Sequence, residues 1–289
     1  MATQVASASY SEPSYASDKT VRPKHPFYVP EISKYLVPST RQLLSDYSSI
    51  PEGDQIKHVH AIRDKAWAIR GYPCTGLGVF LVPSISRLNA YSQIVKRLKQ
   101  GEAFLDVGCF LGYDMRQLVF DGAPSANMVG VDIVSHWDVG FELFRDEQKF
   151  NARFVEADFL DESSKELKGL ESRVDVINVG AVLHQWNWVG QVACAERAVK
   201  FSKVGTLLVG YQIGCKDPGK EVEAMGTKLW RHGVESWKRM WSEVEERTGT
   251  DWAVSVVLKE WEDLGWDRAD MDWLPPDAVP LLFELERKT

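Results

Sequence analysis

The chain has 289 residues, of which 44% are hydrophobic and 26% are charged, so it can bury one good-sized core with an added cap. A net charge of -7 argues against a nucleic-acid partner, because binding a phosphate backbone calls for basic patches. No apolar run approaches the roughly 18 residues typical of a membrane span, no signal-peptide pattern is found, and four scattered cysteines fit a reducing cytosol. We therefore expect a cytoplasmic protein without a nucleic-acid partner.

The N-terminal third precedes any strand pattern and is predicted to be helical. Residues 1–22 form a predicted disordered tail, since the first 20 are rich in Ser, Ala and Thr without periodicity. Five prolines then surround a short amphipathic stretch at 40–47, and helical patterns follow over 55–70 and 84–99. The sequence thus predicts a helical cap over 23–100 and a core domain over 101–289.

A glycine-bearing turn follows the first predicted strand. Asp106 lies near the end of that strand, Gly108 and Gly112 lie in the turn, and a helical pattern follows. Glycines in such a turn let a ligand lie against the backbone, because no Cβ intervenes. The dinucleotide pattern G-x-G-x-x-G is not met. The turn instead resembles motif I of the class I S-adenosylmethionine (SAM) methyltransferases, with Phe110 at the usual middle glycine, although an ordinary tight turn would also fit.

The second and third predicted strands also lead into carboxylates, Asp132 and Asp158. The first can accept hydrogen bonds from both hydroxyls of a ribose, and the second typically accepts from the adenine amino group in SAM enzymes. Their neighbours Ile133 and Phe159 are expected to contact the nucleoside. A doubly wound sheet binds its ligand across these strand ends, so the two acids together with Asp106 predict a SAM site.

Strands and helices alternate from residue 101 onward, which is typical of an α/β fold with a mainly parallel sheet. The last two strands have no helix of ordinary length between them, so the final strand is expected to run antiparallel. This pattern predicts the seven-stranded, Rossmann-like sheet of class I methyltransferases with an N-terminal helical cap. The predicted strands are 103–107, 128–132, 153–157, 174–180, 205–211, 252–258 and 280–286.

The end of the fourth predicted strand borders the methyl donor in class I enzymes, which places Asn178 near the cofactor. The next turn, Leu183-His184-Gln185-Trp186, is similar to one in plant small-molecule O-methyltransferases, where the histidine is the general base. Imidazole titrates near neutral pH and can take a proton from an attacking hydroxyl. His184 is the predicted catalytic residue, although a histidine that only caps or packs also fits. Clustered acids are absent from this turn, and no metal is expected.

Tryptophans crowd the C-terminal half, where nine of the 11 lie from Trp186 onward. Trp230, Trp237 and Trp241 fall within 219–248, a segment whose pattern predicts helices between the fifth and sixth strands. Indole groups form a broad apolar wall with an occasional polar handle. We expect these residues and Trp186 to face a large, flat, apolar substrate; ordinary core packing is the alternative for each.

Longer motifs resemble a family of fungal secondary-metabolite methyltransferases over residues 65–287. Members act in meroterpenoid pathways, where they methyl-esterify the carboxylate of a farnesylated aromatic polyketide, and relatives methylate hydroxyls, including those of N-hydroxyindole alkaloids. The resemblance implies the class I fold, SAM as cofactor and O-methylation. The motifs that carry it lie at 66–74, 106–112, 121–124, 131–137 and 183–186.

The acceptor consequently stays open between a carboxylate, which the resemblance favours, and a hydroxyl. A catalytically silent SAM-binding protein is a further alternative, which the intact set of three strand-end acids argues against. A homodimer is also left open.

Overall fold

The structure is a computed structural model that describes residues 27–216, 218–224 and 226–289. The predicted tail, 1–22, and the first residues of the predicted cap, 23–26, lie outside these ranges. Within the described ranges the strands are β1 (Phe104–Val107), β2 (Met128–Asp132), β3 (Arg153–Glu156), β4 (Val174–Gly180), β5 (Ser202–Cys215), β6 (Lys220–Ala224), β7 (Thr227–Arg231), β8 (Trp252–Leu258) and β9 (Ala278–Arg287).

Seven of these strands form one sheet in the order β3-β2-β1-β4-β5-β9-β8. The first five in the chain run parallel, and β9 is antiparallel to both β5 and β8. The predicted seven-stranded sheet with an antiparallel final strand is therefore confirmed. The strand order reverses between β1 and β4, and the crevice at the carboxyl ends of such neighbours is where a doubly wound sheet takes its ligand.

Helices cover both sides of this sheet. The stretch predicted at 40–47 is helical, since it contains the end of helix α1 (Pro38–Gln42) and a following π-helical turn, Leu43–Tyr47. In the part of the chain that the structure describes, no helix combines the length and apolar character that crossing a membrane requires. The α-helices are α1 (Pro38–Gln42), α2 (Glu52–Ile69), α3 (Pro73–Leu77), α4 (Tyr91–Lys99), α5 (Tyr113–Phe120), α6 (Trp137–Phe144), α7 (Lys165–Lys168), α8 (Trp188–Phe201) and α9 (Val234–Thr248).

The predicted helix over 84–99 is wrong in its first half, where a 3-10 turn precedes α4. Carboxylates from elsewhere in the fold accept hydrogen bonds from backbone N–H groups of this segment. Asp114 accepts from Ile85 at 3.2 Å, and Glu284 accepts from Ala90 at 3.1 Å. These tertiary hydrogen bonds take the place of helical ones, and sequence periodicity does not report them.

The prediction of helices throughout 219–248 is wrong over its first part. There β6 and β7 pair antiparallel as a hairpin, and only α9 is helical. Lys, Glu and Ala are good helix formers, which explains the helical signal of residues 220–224. Gly226, with a φ of +77° just before β7, and the cross-strand pair of Glu221 with Trp230 favour the hairpin instead.

Two apolar clusters bury the two faces of the sheet. On one face, residues from the N-terminal segment, such as Trp67, pack with β1, α5 and α6. On the other face, α8 and α9 pack against β4 and β9 through residues such as Phe201 and Phe283. Phe104 and Leu105, neighbours in β1, belong to different clusters because successive strand side chains point to opposite faces.

Candidate active site

A cavity of about 280 Å³ lies at the carboxyl ends of the parallel strands, just below the range of about 300–1,000 Å³ common for small-molecule sites. Its walls come from the strand ends, the start of α3, the β6–β7 hairpin and the connection between β8 and β9. The predicted site residues that line it are Gly108, Asp132, Ile133, Asp158, Phe159, His184 and Trp186.

Both glycines of the first turn occupy backbone positions that only glycine fills without strain. Gly108 has a φ of +71°, and a Cβ there would overlap Cγ2 of Val182. Gly112 has a φ of +66°, and a Cβ there would overlap the Arg116 guanidinium. Gly108 lines the cavity, so a ligand can approach its backbone closely. Gly112 does not line it and instead precedes the first turn of α5.

Phe110 stands at the position where motif I usually has a glycine, and its φ of +50° is in the left-handed region. Its ring centroid lies 4.6 Å from that of His136 and 5.8 Å from that of Phe80. Its backbone N–H donates to Oδ2 of Asp132 at 2.9 Å. These contacts hold a strained backbone in place and make Phe110 part of the cavity wall.

Asp132 ends β2, and backbone N–H groups hold its carboxylate at the cavity. Oδ2 accepts from Phe110, and Oδ1 accepts from Val134 at 3.3 Å. Burial raises the pKa of Asp132 to about 6, against the lowering effect of these two hydrogen bonds. Each carboxylate oxygen has a second lone pair, so Asp132 can accept further hydrogen bonds from a ligand.

Asp158 and Phe159 lie on the cavity wall just after β3. Oδ1 of Asp158 accepts from the backbone N–H of Leu160 at 2.9 Å, which fixes the carboxylate at the strand end. The ring of Phe159 is buried and stacks on Phe201 with centroids 5.3 Å apart. The pair therefore offers an acceptor beside a rigid apolar surface, as an adenine base requires.

Asp106 and Asn178 lie behind the cavity wall rather than in it. Nδ2 of Asn178 donates to Oδ1 of Asp106 at 2.8 Å and approaches Oδ2 of Asp114 at 3.4 Å. Burial, with the nearby charge of Asp114, raises the pKa of Asp106 well above its ordinary value. Oδ1 of Asn178 is buried and has no hydrogen-bond partner among the described residues. This cluster joins β1 to β4 beneath the site, so any contact with a ligand would be indirect.

His184 lies in the 3-10 turn Leu183–Gln185 that follows β4, and it reaches the cavity. Its Nδ1 accepts from the backbone N–H of Ile213 at 3.4 Å. Its carbonyl oxygen accepts from Nη1 of Arg231 at 2.6 Å. Burial, and to a lesser extent the Arg231 guanidinium, lowers the pKa of His184 well below its ordinary value. At neutral pH the imidazole is therefore uncharged, with its proton on Nε2 because Nδ1 is an acceptor.

The predicted substrate tryptophans are only partly brought together. Trp186 lines the cavity. Trp237 and Trp241 have no exposed surface and pack in the core, where Trp237 stacks on Phe283 with ring centroids 4.5 Å apart. Trp230 packs edge-on against Trp188 at 5.2 Å and does not line the cavity. The structure therefore does not bring Trp230, Trp237 or Trp241 to the cavity wall.

Other aromatic residues, which sequence reasoning missed, form an apolar wall of the cavity. The ring of Trp266 lies 5.2 Å from that of Tyr211 and 5.9 Å from that of Trp261. Trp273 completes this wall. Three of the four come from the irregular connection between β8 and β9, where periodicity gives no signal. Tyr72 and Arg231 also line the cavity and were not predicted.

The residues present fit SAM as a ligand of this cavity. Asp132 could accept from ribose hydroxyls, Asp158 beside Phe159 could accept from the adenine amino group, and Gly108 leaves room beside the backbone. In the described part of the chain, no group of three or more His, Cys, Asp or Glu side chains could hold a metal ion.

Comparisons with known proteins identify related sequences. Residues 27–81 match a family described as the meroterpenoid methyltransferase N-terminal domain. The O-methyltransferase phiE of a fungal species is 36% identical over 243 residues, covering 82% of this chain and 80% of phiE. The O-methyltransferase atr3 of Stereocaulon alpinum is 39% identical over 234 residues, covering 79% of this chain and 68% of atr3. The asnovolin E/chermesin D methyltransferase nvfJ of Aspergillus novofumigatus is 33% identical over 226 residues, covering 77% of this chain and 80% of nvfJ.

A solved structure shares the fold at low sequence identity. It is a phosphoethanolamine N-methyltransferase 2 of Haemonchus contortus, with a TM-score of 0.51 and 15% identity over 87% of this chain and 60% of that chain. This likeness concerns the fold alone. The sequence relatives decide the family, because they are more than 30% identical over most of their length. The chain therefore belongs to the fungal secondary-metabolite methyltransferases and is a SAM-dependent methyltransferase.

Proposed function

We propose that the enzyme transfers the methyl group of SAM to a carboxylate oxygen of a prenylated aromatic polyketide, forming a methyl ester of a meroterpenoid intermediate. The apolar wall of Tyr211, Trp261, Trp266 and Trp273 suits a large acceptor with fused or flat rings. The match of residues 27–81 to a meroterpenoid methyltransferase domain supports this class of substrate, as does the relative nvfJ, named for asnovolin E and chermesin D.

The observation that carries the carboxylate assignment is the hydrogen bonding of His184. A general base at this position would need an unprotonated Nε2 toward the acceptor. That tautomer would place a proton on Nδ1, opposite the N–H of Ile213, and the two donors would repel. With the proton on Nε2, His184 is a hydrogen-bond donor. A donor suits an acceptor that is already an anion, and a carboxylate with a reference pKa near 4 is ionised at pH 7.

The chemistry that follows needs no proton transfer. SAM supplies an electrophilic methyl group, a carboxylate oxygen forms the new C–O bond, and the bond from methyl carbon to sulfur breaks to leave S-adenosylhomocysteine. The protein holds the two reactants in line and keeps water out, which can supply several kcal/mol of the barrier. Asp132 and Asp158 would hold the nucleoside, and the aromatic wall would hold the acceptor rings.

The substitution His184→Ala tests this assignment. If the acceptor is a carboxylate, the variant loses one hydrogen-bond donor but no base. It should then retain appreciable activity, with little dependence on pH between about 6 and 8, because the acceptor pKa lies lower. If the acceptor is a hydroxyl and His184 is its base, the rate should fall by about 10²–10⁴-fold. His184→Gln is the matched control, since it keeps an N–H donor but cannot act as a base. Thermal unfolding of both variants must first show a fold as stable as the wild type.

A hydroxyl acceptor is the second candidate, because the turn at His184 is similar to one in which a histidine is the base. Mild alkali separates the two products, since it releases methanol from a methyl ester and leaves a methyl ether intact. An alkali-stable product together with inactive His184→Ala and His184→Gln enzymes would decide for the hydroxyl.

A further inference from the structure

We infer that Arg231 forms an anion subsite that binds the acceptor carboxylate and makes the enzyme select acids over neutral analogues. This inference rests on the proposed function and names the residue that gives it specificity. Arg231 ends β7, so the hairpin carries it to the cavity wall.

Arg231 lacks a carboxylate partner where other buried arginines have one. Its relative exposure is 7%, and the contact found for its guanidinium is the carbonyl oxygen of His184. The other buried arginines of the described chain, Arg63, Arg116 and Arg197, each contact a carboxylate. Burying a cation without an anion is costly, so an unpaired guanidinium that faces a cavity points to an anionic ligand.

The geometry of Arg116 shows what the free edge of Arg231 can bind. In Arg116, Nη1 donates to the carbonyl oxygen of Leu111 at 2.9 Å, while Nε and Nη2 donate to Asp146 at 2.8 and 3.1 Å. In Arg231, Nη1 likewise donates to a backbone carbonyl, that of His184. Nε and Nη2 then remain as the parallel pair of donors that a carboxylate accepts side by side.

The position of Arg231 next to His184 completes the subsite. The hydrogen bond joins the guanidinium to the backbone carbonyl of His184, and both residues line the cavity. The imidazole Nε2–H is a second donor without a partner among the described residues. Burial lowers the pKa of Arg231 only to about 10, so it is still a cation at neutral pH. A carboxylate held by these donors keeps a lone pair free to attack the methyl group, since each of its oxygens has two.

The test compares a farnesylated aromatic carboxylic acid with its carboxamide and its primary alcohol, in wild type and in Arg231→Gln. The wild type should esterify the acid. The inhibition constant of the carboxamide should be at least about tenfold higher than the KM of the acid. Arg231→Gln should raise KM for the acid by about 10–100-fold and lose the preference for acid over carboxamide, while its affinity for SAM stays unchanged. Arg231→Lys should recover part of the effect, because it restores charge but not the paired donors.

The matched control is Lys228→Gln, which removes a cation from the exposed face of the same strand and should leave all these values unchanged. Several outcomes overturn the inference. A wild-type enzyme that esterifies the acid, with KM and the acid preference unaltered in Arg231→Gln, would show that Arg231 does not bind the acceptor. Weaker SAM binding with an unchanged acceptor KM would assign Arg231 to the cofactor carboxylate. If the wild type leaves the acid unmethylated, the proposed function itself fails, whatever the variants do.

Discussion

Asp132 is the residue whose replacement should most weaken SAM binding. Asp132→Asn keeps the size of the side chain and one oxygen for the N–H of Phe110, but removes the charge and the second acceptor. Losing a hydrogen bond between a ribose hydroxyl and a charged group costs about 1.5–3 kcal/mol, which corresponds to a Kd about 10–150-fold higher. Isothermal titration calorimetry with SAM measures this change directly.

A matched control separates the ribose contact from the local effect of removing an acid. Asp161 is exposed, accepts from the N–H of Ser163 at 2.8 Å and does not line the cavity. Asp161→Asn should bind SAM like the wild type. If Asp132→Asn also binds SAM within twofold of the wild type, the assignment of the ribose to the end of β2 is wrong.

The same residue gives the wild-type enzyme a pH dependence of SAM affinity. Burial raises the pKa of Asp132 to about 6 in the free protein, so the carboxyl takes up a proton as the pH falls through that value. Only the ionised form accepts both hydroxyls, and SAM must then displace the proton. Affinity should therefore fall on acidification, with Kd rising about tenfold between pH 7 and pH 5. Asp132→Asn should show no such rise, and an equal rise in the variant would assign the titration elsewhere.

Two further predictions concern stability and the glycine turn. Gly108→Ala adds a Cβ at φ +71° that overlaps Val182. It should destabilise the protein by about 2–4 kcal/mol and weaken SAM binding. The control is Gly249→Ala, at φ +67° with open space around it, which should cost only the backbone strain of about 1–2 kcal/mol. Asp146→Asn leaves the buried Arg116 without its anion and should lower the free energy of unfolding by about 3–5 kcal/mol. Urea unfolding measures the free energy of unfolding of each variant. An Asp146→Asn protein as stable as the wild type would contradict the prediction for Asp146.

The fold and the strand-end residues that line the cavity were predictable because local signals agree there. Asp132 and Asp158 lie at the ends of short apolar strands. A parallel sheet brings such strand ends to one edge, whatever the conformation of the connecting loops. Gly108 was predictable for the same reason, since a strand-to-helix turn at a ligand site calls for glycine. Asp106 is also an acid near a strand end. Its pairing with Asn178 across β1 and β4, however, places it behind the cavity wall.

The aromatic wall and the position of Arg231 were not predictable, because their residues meet only through tertiary structure. Trp266 and Trp273 lie in an irregular connection without periodicity. Trp237 and Trp241 share a helix face, but their spacing does not say on which side of the sheet that face packs. The position of Arg231 depends on the β6–β7 hairpin, and the helical propensity of residues 220–224 led to a helix prediction there instead. The lack of a carboxylate partner for Arg231 is therefore visible only in the structure.

The central claim is methyl transfer from SAM to a carboxylate, and one labelling experiment tests it most directly. The purified enzyme is incubated with SAM that carries a trideuterated methyl group and with a farnesylated aromatic carboxylic acid, and the product is then treated with mild alkali. Our account predicts a labelled product that releases trideuterated methanol and returns the unlabelled acid. A label that stays on the product after alkali, or no transfer to the acid at all, would contradict it.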